Sequence, residues 1–257
     1  MSKESSRSKY TSSKASGTGT VSVLGLLDAE LQAMVRDLDI GGVMVPPDHL
    51  GTAIERLRAL AGSRVNPDTS WRSRWLWALR KPSRTDAAGE RGLAIRLCHA
   101  RPELFYEVPA ASGVFDTDGR ANKRANVDLA VEVVPGEHYI LVEIKEEADD
   151  PAFAAAEILR NFILYLLARR HGPPELIERR PVLQARKIDL QVWAPVEHYE
   201  RRDWSGLERR LVEGLSRWAG EKRVSGKDGD IDVSFSFNVL VEGGRVQPVA
   251  AVREPMP

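Results

Sequence analysis

A chain of 257 residues with 42% hydrophobic and 29% charged residues has enough apolar material to bury a sizeable core, and its 37 Lys and Arg balance its 37 Asp and Glu. Zero net charge excludes a global field that draws in polyanions, so any nucleic-acid surface has to be a local patch. The single cysteine, Cys98, excludes an internal disulfide; the five histidines show no zinc spacing, and no apolar run is expected to reach the ~18 residues of a membrane span.

Residues 1–20 are mostly Ser, Lys, Gly and Thr without the apolar centre of a signal peptide, which predicts a disordered tail and a cytoplasmic protein. Residues 21–80 read as a helical N-terminal region. Leu27, Leu31, Met34 and Val35 share one stripe, and Ile54, Leu57 and Leu60 share another. The stretch from Trp71 to Trp77 interleaves Trp71, Trp75 and Trp77 with Arg72 and Arg74. Such a composition can stack on bases, but aromatics at this density are expected to anchor a core.

A core unit is expected over residues 81–197. Its first element is a helix from Asp86 to Ala100, capped by Thr85 or Asp86 and stopped before Pro102. Glu90 lies on the apolar stripe of that helix with Leu93, Ala94 and Leu97. It either complements the helix dipole from near the N-terminus or meets a partner inside. Cys98, beside Leu97, reads as core rather than as a nucleophile. Leu104 to Val108 is a short strand. The polar loop after it carries Arg120, Lys123 and Arg124, three cations that could neutralise flanking phosphates or simply form a solvated turn. Asp116-Thr117-Asp118-Gly119 begins like a calcium loop, but the ligand series that should follow is absent.

Asn126 to Lys145 reads as two strands rich in β-branched residues, joined at Pro135-Gly136. By alternation Val127, Leu129, Val131 and Val133 share one face, and Asp128, Ala130 and Glu132 the other; in the second strand Ile140, Val142 and Ile144 oppose Tyr139, Leu141, Glu143 and Lys145. With a two-residue loop Asp128 stands across from Glu143, their Cβ atoms ~5 Å apart, where like charges destabilise a sheet unless something offsets them. A divalent cation is the economical candidate, because Mg²⁺ is commonly held by one or two carboxylates. The register is not secure: Pro-Gly suits a type II turn, two-residue hairpins prefer the primed types, and a simple three-residue loop sends the two acids to opposite faces.

Asp128 on one strand, with Glu143-Ile144-Lys145 at the end of the next, resembles the signature of the PD-(D/E)XK nuclease superfamily, Val127 standing where the family name has proline. Glu143-Ile144-Lys145 is the one acid-x-Lys in the chain. The resemblance covers residues 86–195. It implies an α/β (α+β) fold with a restriction-endonuclease-like αβββαβ core, a central mixed sheet flanked by helices, and a site in which Asp128, Glu143 and the Ile144 backbone carbonyl hold Mg²⁺ or Mn²⁺ while Lys145 orients water or balances charge. It also offers Glu90 a second reading, as an acid from the preceding helix that joins the metal site.

After the hairpin, Asp150 and Pro151 open a helix that Arg169-Arg170-His171 and Gly172 close. Its polar residues Glu157, Asn161 and Tyr165 recur at i, i+4 and i+8, as a solvent ridge would. Asn161-x-x-x-Tyr165 is also similar to the Gln-x-x-x-Tyr motif of RecB-type superfamily members, which implies contacts to nucleic acid, although asparagine shortens the reach. Ile188 to Trp193 is the next strand. Residues 198–257 read as a C-terminal extension: a helix from the Ser205/Glu208 capping box to Gly220, then a hairpin from Ile231 that either extends the sheet or forms the edge of a homodimer.

The expected activity is Mg²⁺-dependent hydrolysis of phosphodiester bonds in DNA by an endonuclease of restriction, defence or repair type, with RNA left open as substrate and no membrane partner. The alternatives are a RecB-type exonuclease acting at DNA ends, and a nuclease-like module that binds or interacts without catalysis.

Overall fold

Six strands pair in sequence order into one mixed sheet, β1 (Leu104–Pro109), β2 (Asn126–Val134), β3 (His138–Ile144), β4 (Lys187–Ala194), β5 (Asp232–Val241) and β6 (Arg245–Pro248). The computed structural model describes residues 22–39, 48–65, 77–83, 87–110, 112–114, 125–146, 150–200, 204–225, 231–241 and 244–249. The three pairings β1–β2, β2–β3 and β5–β6 are antiparallel, while β3–β4 and β4–β5 are parallel. Parallel neighbours need long crossovers. Helix α4 (Pro151–His171) carries the first and α6 (Ser205–Ser225) the second, with the short α5 (Pro174–Arg179) between α4 and β4.

The helices divide between two faces. On one, α1 (Val23–Asp39), α2 (Asp48–Gly62), α4 and α6 build the main core against Ala130, Leu141, Leu190 and Phe235. On the other, α3 (Gly89–Ala100) covers Leu129, Val131, Val142 and Ile144 with Ala94, Ile95 and Leu97. The expected stripes point inward: Leu27, Leu31, Met34, Val35, Ile54 and Leu57 are buried, and Leu60 packs on them half-buried. Trp77 is a core anchor, its indole N–H donating to Ser112 Oγ at 2.8 Å and its ring edge-on to Tyr165 at 5.4 Å. The other residues of the Trp/Arg stretch, 71–76, and the tail at 1–20 lie outside the described residues.

Helix α4 has the expected ends. The Asp150 carboxylate accepts from the Ala152 N–H at 3.0 Å, and Pro151 sits in the first turn. By length and composition an 18-residue window of it is apolar enough to cross a membrane, but Glu157 and Arg160 interrupt the run, so the expectation of no uninterrupted apolar span stands. Since 83% of that window is buried inside the protein, the apolar length serves the core. At the C-terminus, α6 runs past Gly220 to Ser225, so that glycine does not end it. Glu208 makes a different bond from the expected capping box: its Oε2 accepts from the Phe237 N–H at 2.7 Å. Strand β6 stops opposite Asn238 and leaves that N–H of β5 to be satisfied. The C-terminal hairpin extends the sheet.

Helix α3 starts at Gly89 rather than Asp86, with Ala88 as its N-cap and no side-chain cap; Thr85 and Asp86 lie outside the described residues. The element order is α3-β1-β2-β3-α4-α5-β4, the expected helix, three strands, helix and strand with the short α5 added before the last strand.

Candidate active site

The β2–β3 hairpin places the first two acids by a route the alternation pattern did not contain. Its loop has three residues, Pro135, Gly136 and Glu137, with Val134 opposite His138. The Glu137 N–H donates to the Val134 carbonyl at 3.0 Å and Gly136 has φ +72°, which is a type II turn with proline and glycine in their preferred places. Alone, this loop shifts the register by one and separates the acids. A β-bulge at Val133 restores it: Glu132 pairs with Tyr139 and Leu129 with Val142, so one step further Asp128 stands opposite Glu143. The bulge also turns Val133 out of its expected apolar set, leaving it 45% exposed.

Asp128 and Glu143 follow Ala130 and Leu141 on the face toward α4. Asp128 Oδ2 accepts the Ile144 backbone N–H at 2.9 Å, so the carboxylate replaces a ladder partner at the end of the strands. The next residue, Lys145, anchors its own N–H on the Trp193 carbonyl at 2.9 Å and turns its side chain among carboxylates from three elements. Its Nζ is 2.8 Å from Glu157 Oε2 on α4, 3.3 Å from Glu143 Oε1 on β3 and 3.6 Å from Glu90 Oε1 on α3. Lys145 and Glu143 are nearly sealed from water, Glu157 is 18% exposed and Glu90 stands at the rim, 37% exposed.

Asp128, Glu143, Glu157 and Glu90 crowd the Lys145 ammonium in a poorly solvated pocket, with the Arg160 guanidinium also acting on Glu143. Burial pushes the Asp128 carboxyl up to about 6, the Ile144 N–H and Lys145 offsetting only part of it. Glu143 is raised well above the ordinary carboxylate range, first by burial and then by Asp128 and Glu157. Burial works to lower the Lys145 pKa, but Glu143, Glu157 and Glu90 outweigh it, and the ammonium is held more firmly than in an ordinary lysine. Among the described residues one buried oxygen of the site, Glu143 Oε2, has no hydrogen-bond partner, while Glu157 Oε2 is engaged by Lys145 Nζ at 2.8 Å. An unsatisfied buried carboxylate oxygen is costly, and a hard divalent cation, which takes oxygen ligands, removes that cost. The donor set fits Mg²⁺ or Mn²⁺ in chemistry. With the ammonium between the acids, no group of three or more His, Cys, Asp or Glu side chains among the described residues is already arranged around a metal position.

Of the expected site residues, Asp128, Glu143, Lys145 and Glu90 converge, and Ile144 is buried beside them with its N–H committed to Asp128. Arg120, Lys123 and Arg124 lie outside the described residues, as does the Asp116–Gly119 turn. Asn161 and Tyr165 require correction: they form neither a solvent ridge nor a contact surface for nucleic acid, because both are fully buried. Asn161 Nδ2 donates to the Asn126 carbonyl at 3.1 Å, and the Tyr165 hydroxyl donates to the Val182 carbonyl at 2.9 Å while accepting from Arg169. Glu157, the third member of that ridge, is the residue the sequence reading missed. Its signal was a polar row on a helix apolar on every other side, which marks a buried network as readily as a wet face.

Two other constellations lack the means for chemistry. Burial pushes the Cys98 thiol up to about 11, so it stays protonated and unreactive. Ser234, Asp189 and His138 lie side by side on the α3 face, but Asp189 occupies the middle, accepting from Ser234 at 2.6 Å and meeting His138 Nε2 at 2.7 Å. A serine nucleophile needs the imidazole in that place. No family model matches the chain, and no curated protein or solved structure matches it.

Proposed function

We propose that the chain is a metal-dependent nuclease of the cytoplasm that hydrolyses phosphodiester bonds in DNA, with α3 to β4 forming a restriction-endonuclease-like core. The observation that carries this reading is the meeting of Asp128, Glu143 and Lys145 on one face of the hairpin, with one oxygen of the buried Glu143 carboxylate left unsatisfied there among the described residues. Asp128, Glu143 and the Ile144 carbonyl are the assigned holders of Mg²⁺ or Mn²⁺, with Glu90 a fourth donor at the rim. Bound there, the cation acidifies a nearby water and offsets negative charge building on the phosphate.

The chain's own residues supply the rest. Lys145, as a compact point charge fixed in a poorly solvated pocket, stabilises charge at the attacking water or on a phosphate oxygen more strongly than it would in bulk water. The half-exposed Glu90 marks the open side, where a strand can approach. Phe153, whose ring centroid is 5.7 Å from Lys145 Nζ and which is one of the exposed large apolar residues, lines the same opening.

The test is cleavage of supercoiled plasmid, linear duplex and RNA in Mg²⁺, Mn²⁺ or EDTA, with Asp128→Asn as the control for contaminating nuclease. Metal-dependent nicking of the circle supports an endonuclease. Cleavage confined to linear DNA makes it an exonuclease, and no cleavage with retained DNA binding makes it a binding module.

A further inference from the structure

The shortest ion pair of Lys145 is made with a residue outside the Asp128, Glu143 and Lys145 set. Its Nζ is 2.8 Å from Glu157, closer than the 3.3 Å to Glu143 or the 3.6 Å to Glu90. These three acids differ in what they can do once a dication enters. Glu143, as an assigned ligand, turns its charge toward that ion, and the ammonium then meets a like charge of two. Glu90 is half in water, which screens its pull. Glu157 keeps both proximity and poor screening, at 18% exposure against 5% for Lys145.

Its backbone is held by the core. Glu157 sits between Ala156 and Ile158, both buried, on a helix that Asp150 caps and that has fifteen of its 21 residues buried. Glu157 Oε2, the oxygen that meets Lys145, has no hydrogen bond to a third group among the described residues.

We infer that Glu157 is the positioning residue of Lys145, holding its ammonium in the pocket when the metal takes Glu143. The inference rests on the nuclease reading for its purpose but on the ion pair for its substance, and the two can fail separately. A lysine displaced by about an ångström from the reacting atoms can cost on the order of 10²-fold in rate.

Three variants are compared, Glu157→Gln, Glu157→Asp and Lys145→Ala, each first checked by thermal denaturation to be folded. In EDTA, the protein is pulsed with an amine-acetylating ester and the Lys145 peptide is quantified by mass spectrometry. Acetylation of Lys145 is expected to quicken by about tenfold or more in Glu157→Gln, since a side chain that loses its nearest contact, at 2.8 Å, leaves its pocket more often and meets the ester, and to stay near wild type in Glu157→Asp. Unchanged acetylation in Glu157→Gln overturns the inference.

Calcium binding, followed by calorimetry, separates positioning from ligation: Glu157→Gln is expected to remain within about tenfold of wild type, as for a charge near the ion rather than on it. A loss as large as that of Asp128→Asn makes Glu157 a ligand and overturns the positioning role. In plasmid cleavage, Glu157→Gln is expected to lower kcat by about 10- to 100-fold with KM for DNA unchanged, and to cost nothing further in a Lys145→Ala background. Independent, multiplying losses overturn the inference. An inactive wild type sinks the nuclease reading alone, and the acetylation result still decides whether Glu157 holds Lys145.

Discussion

Replacing Asp128 by Asn tests the site without touching its shape, because the amide oxygen can still accept the Ile144 N–H that Asp128 Oδ2 accepts at 2.9 Å. The carboxyl pKa rises on folding from 3.8 to about 6, chiefly through burial. At 1.36 kcal/mol per decade, a charged Asp128 destabilises the metal-free fold by about 3 kcal/mol at neutral pH. The sign follows from proton binding: between the unfolded and folded pKa values the native state holds more protons, so wild-type stability falls as pH rises through that window and levels off above it. Asp128→Asn, which has no such charge, is expected to melt about 6 to 12 °C higher than wild type at pH 8 in EDTA, with the gap closing near pH 4. Mg²⁺ at a hundred times its dissociation constant adds about 2.7 kcal/mol to the wild type and is expected to add nothing to the variant. Denaturation followed by circular dichroism at the two pH values, with EDTA or Mg²⁺, reads all four terms. A variant less stable than wild type at pH 8 in EDTA, or one that keeps the metal shift, refutes the assignment of Asp128 as a strained ligand.

Lys145→Ala is expected to retain Mg²⁺ in calorimetry yet lose about 10²-fold or more of its turnover, Lys145→Arg not rescuing it because the planar fork cannot place its charge at the ammonium position. Glu146→Ala, whose partner Arg96 is 3.5 Å away at the surface, is the control and should cut DNA like wild type. Tyr165→Phe removes hydroxyl bonds to Val182 and Arg169 and should lower stability by about 1–2 kcal/mol in urea denaturation while leaving DNA affinity unchanged; a selective loss of DNA affinity would restore the RecB-type role. Deleting the bulge residue Val133 should leave cleavage intact and cost under about 1 kcal/mol, whereas deleting Val131 should abolish cleavage by turning Asp128 to the other face, and equal effects of the two deletions would refute the register.

Much of the fold was legible in the chain because its signals are local. Asp150 and Pro151 open α4, the β-branched runs on either side of Pro135-Gly136 form β2 and β3, and one acid-x-Lys closes the hairpin, each depending on neighbours a few residues away. The composition of the site, Asp128, Glu143 and Lys145 with Glu90, followed from those elements.

The tertiary structure decided what depends on distance. A type II turn alone puts the two acids on opposite faces, and the bulge at Val133 that undoes this leaves no mark in the alternation of β2, because an extra residue in a run of valines looks like one more step of strand. Which side of α4 faces inward was equally open: a helix apolar all round has no preferred face, so Glu157, Asn161 and Tyr165 read as a wet ridge, whereas the fold sets Lys145, the end of β2 at Asn126, and Trp77 with Val182 against them. Glu208 shows the same limit. Its spacing from Ser205 promised a local cap, yet it bonds Phe237, because the N–H left by the end of β6 is a stronger claim than sequence proximity can reveal.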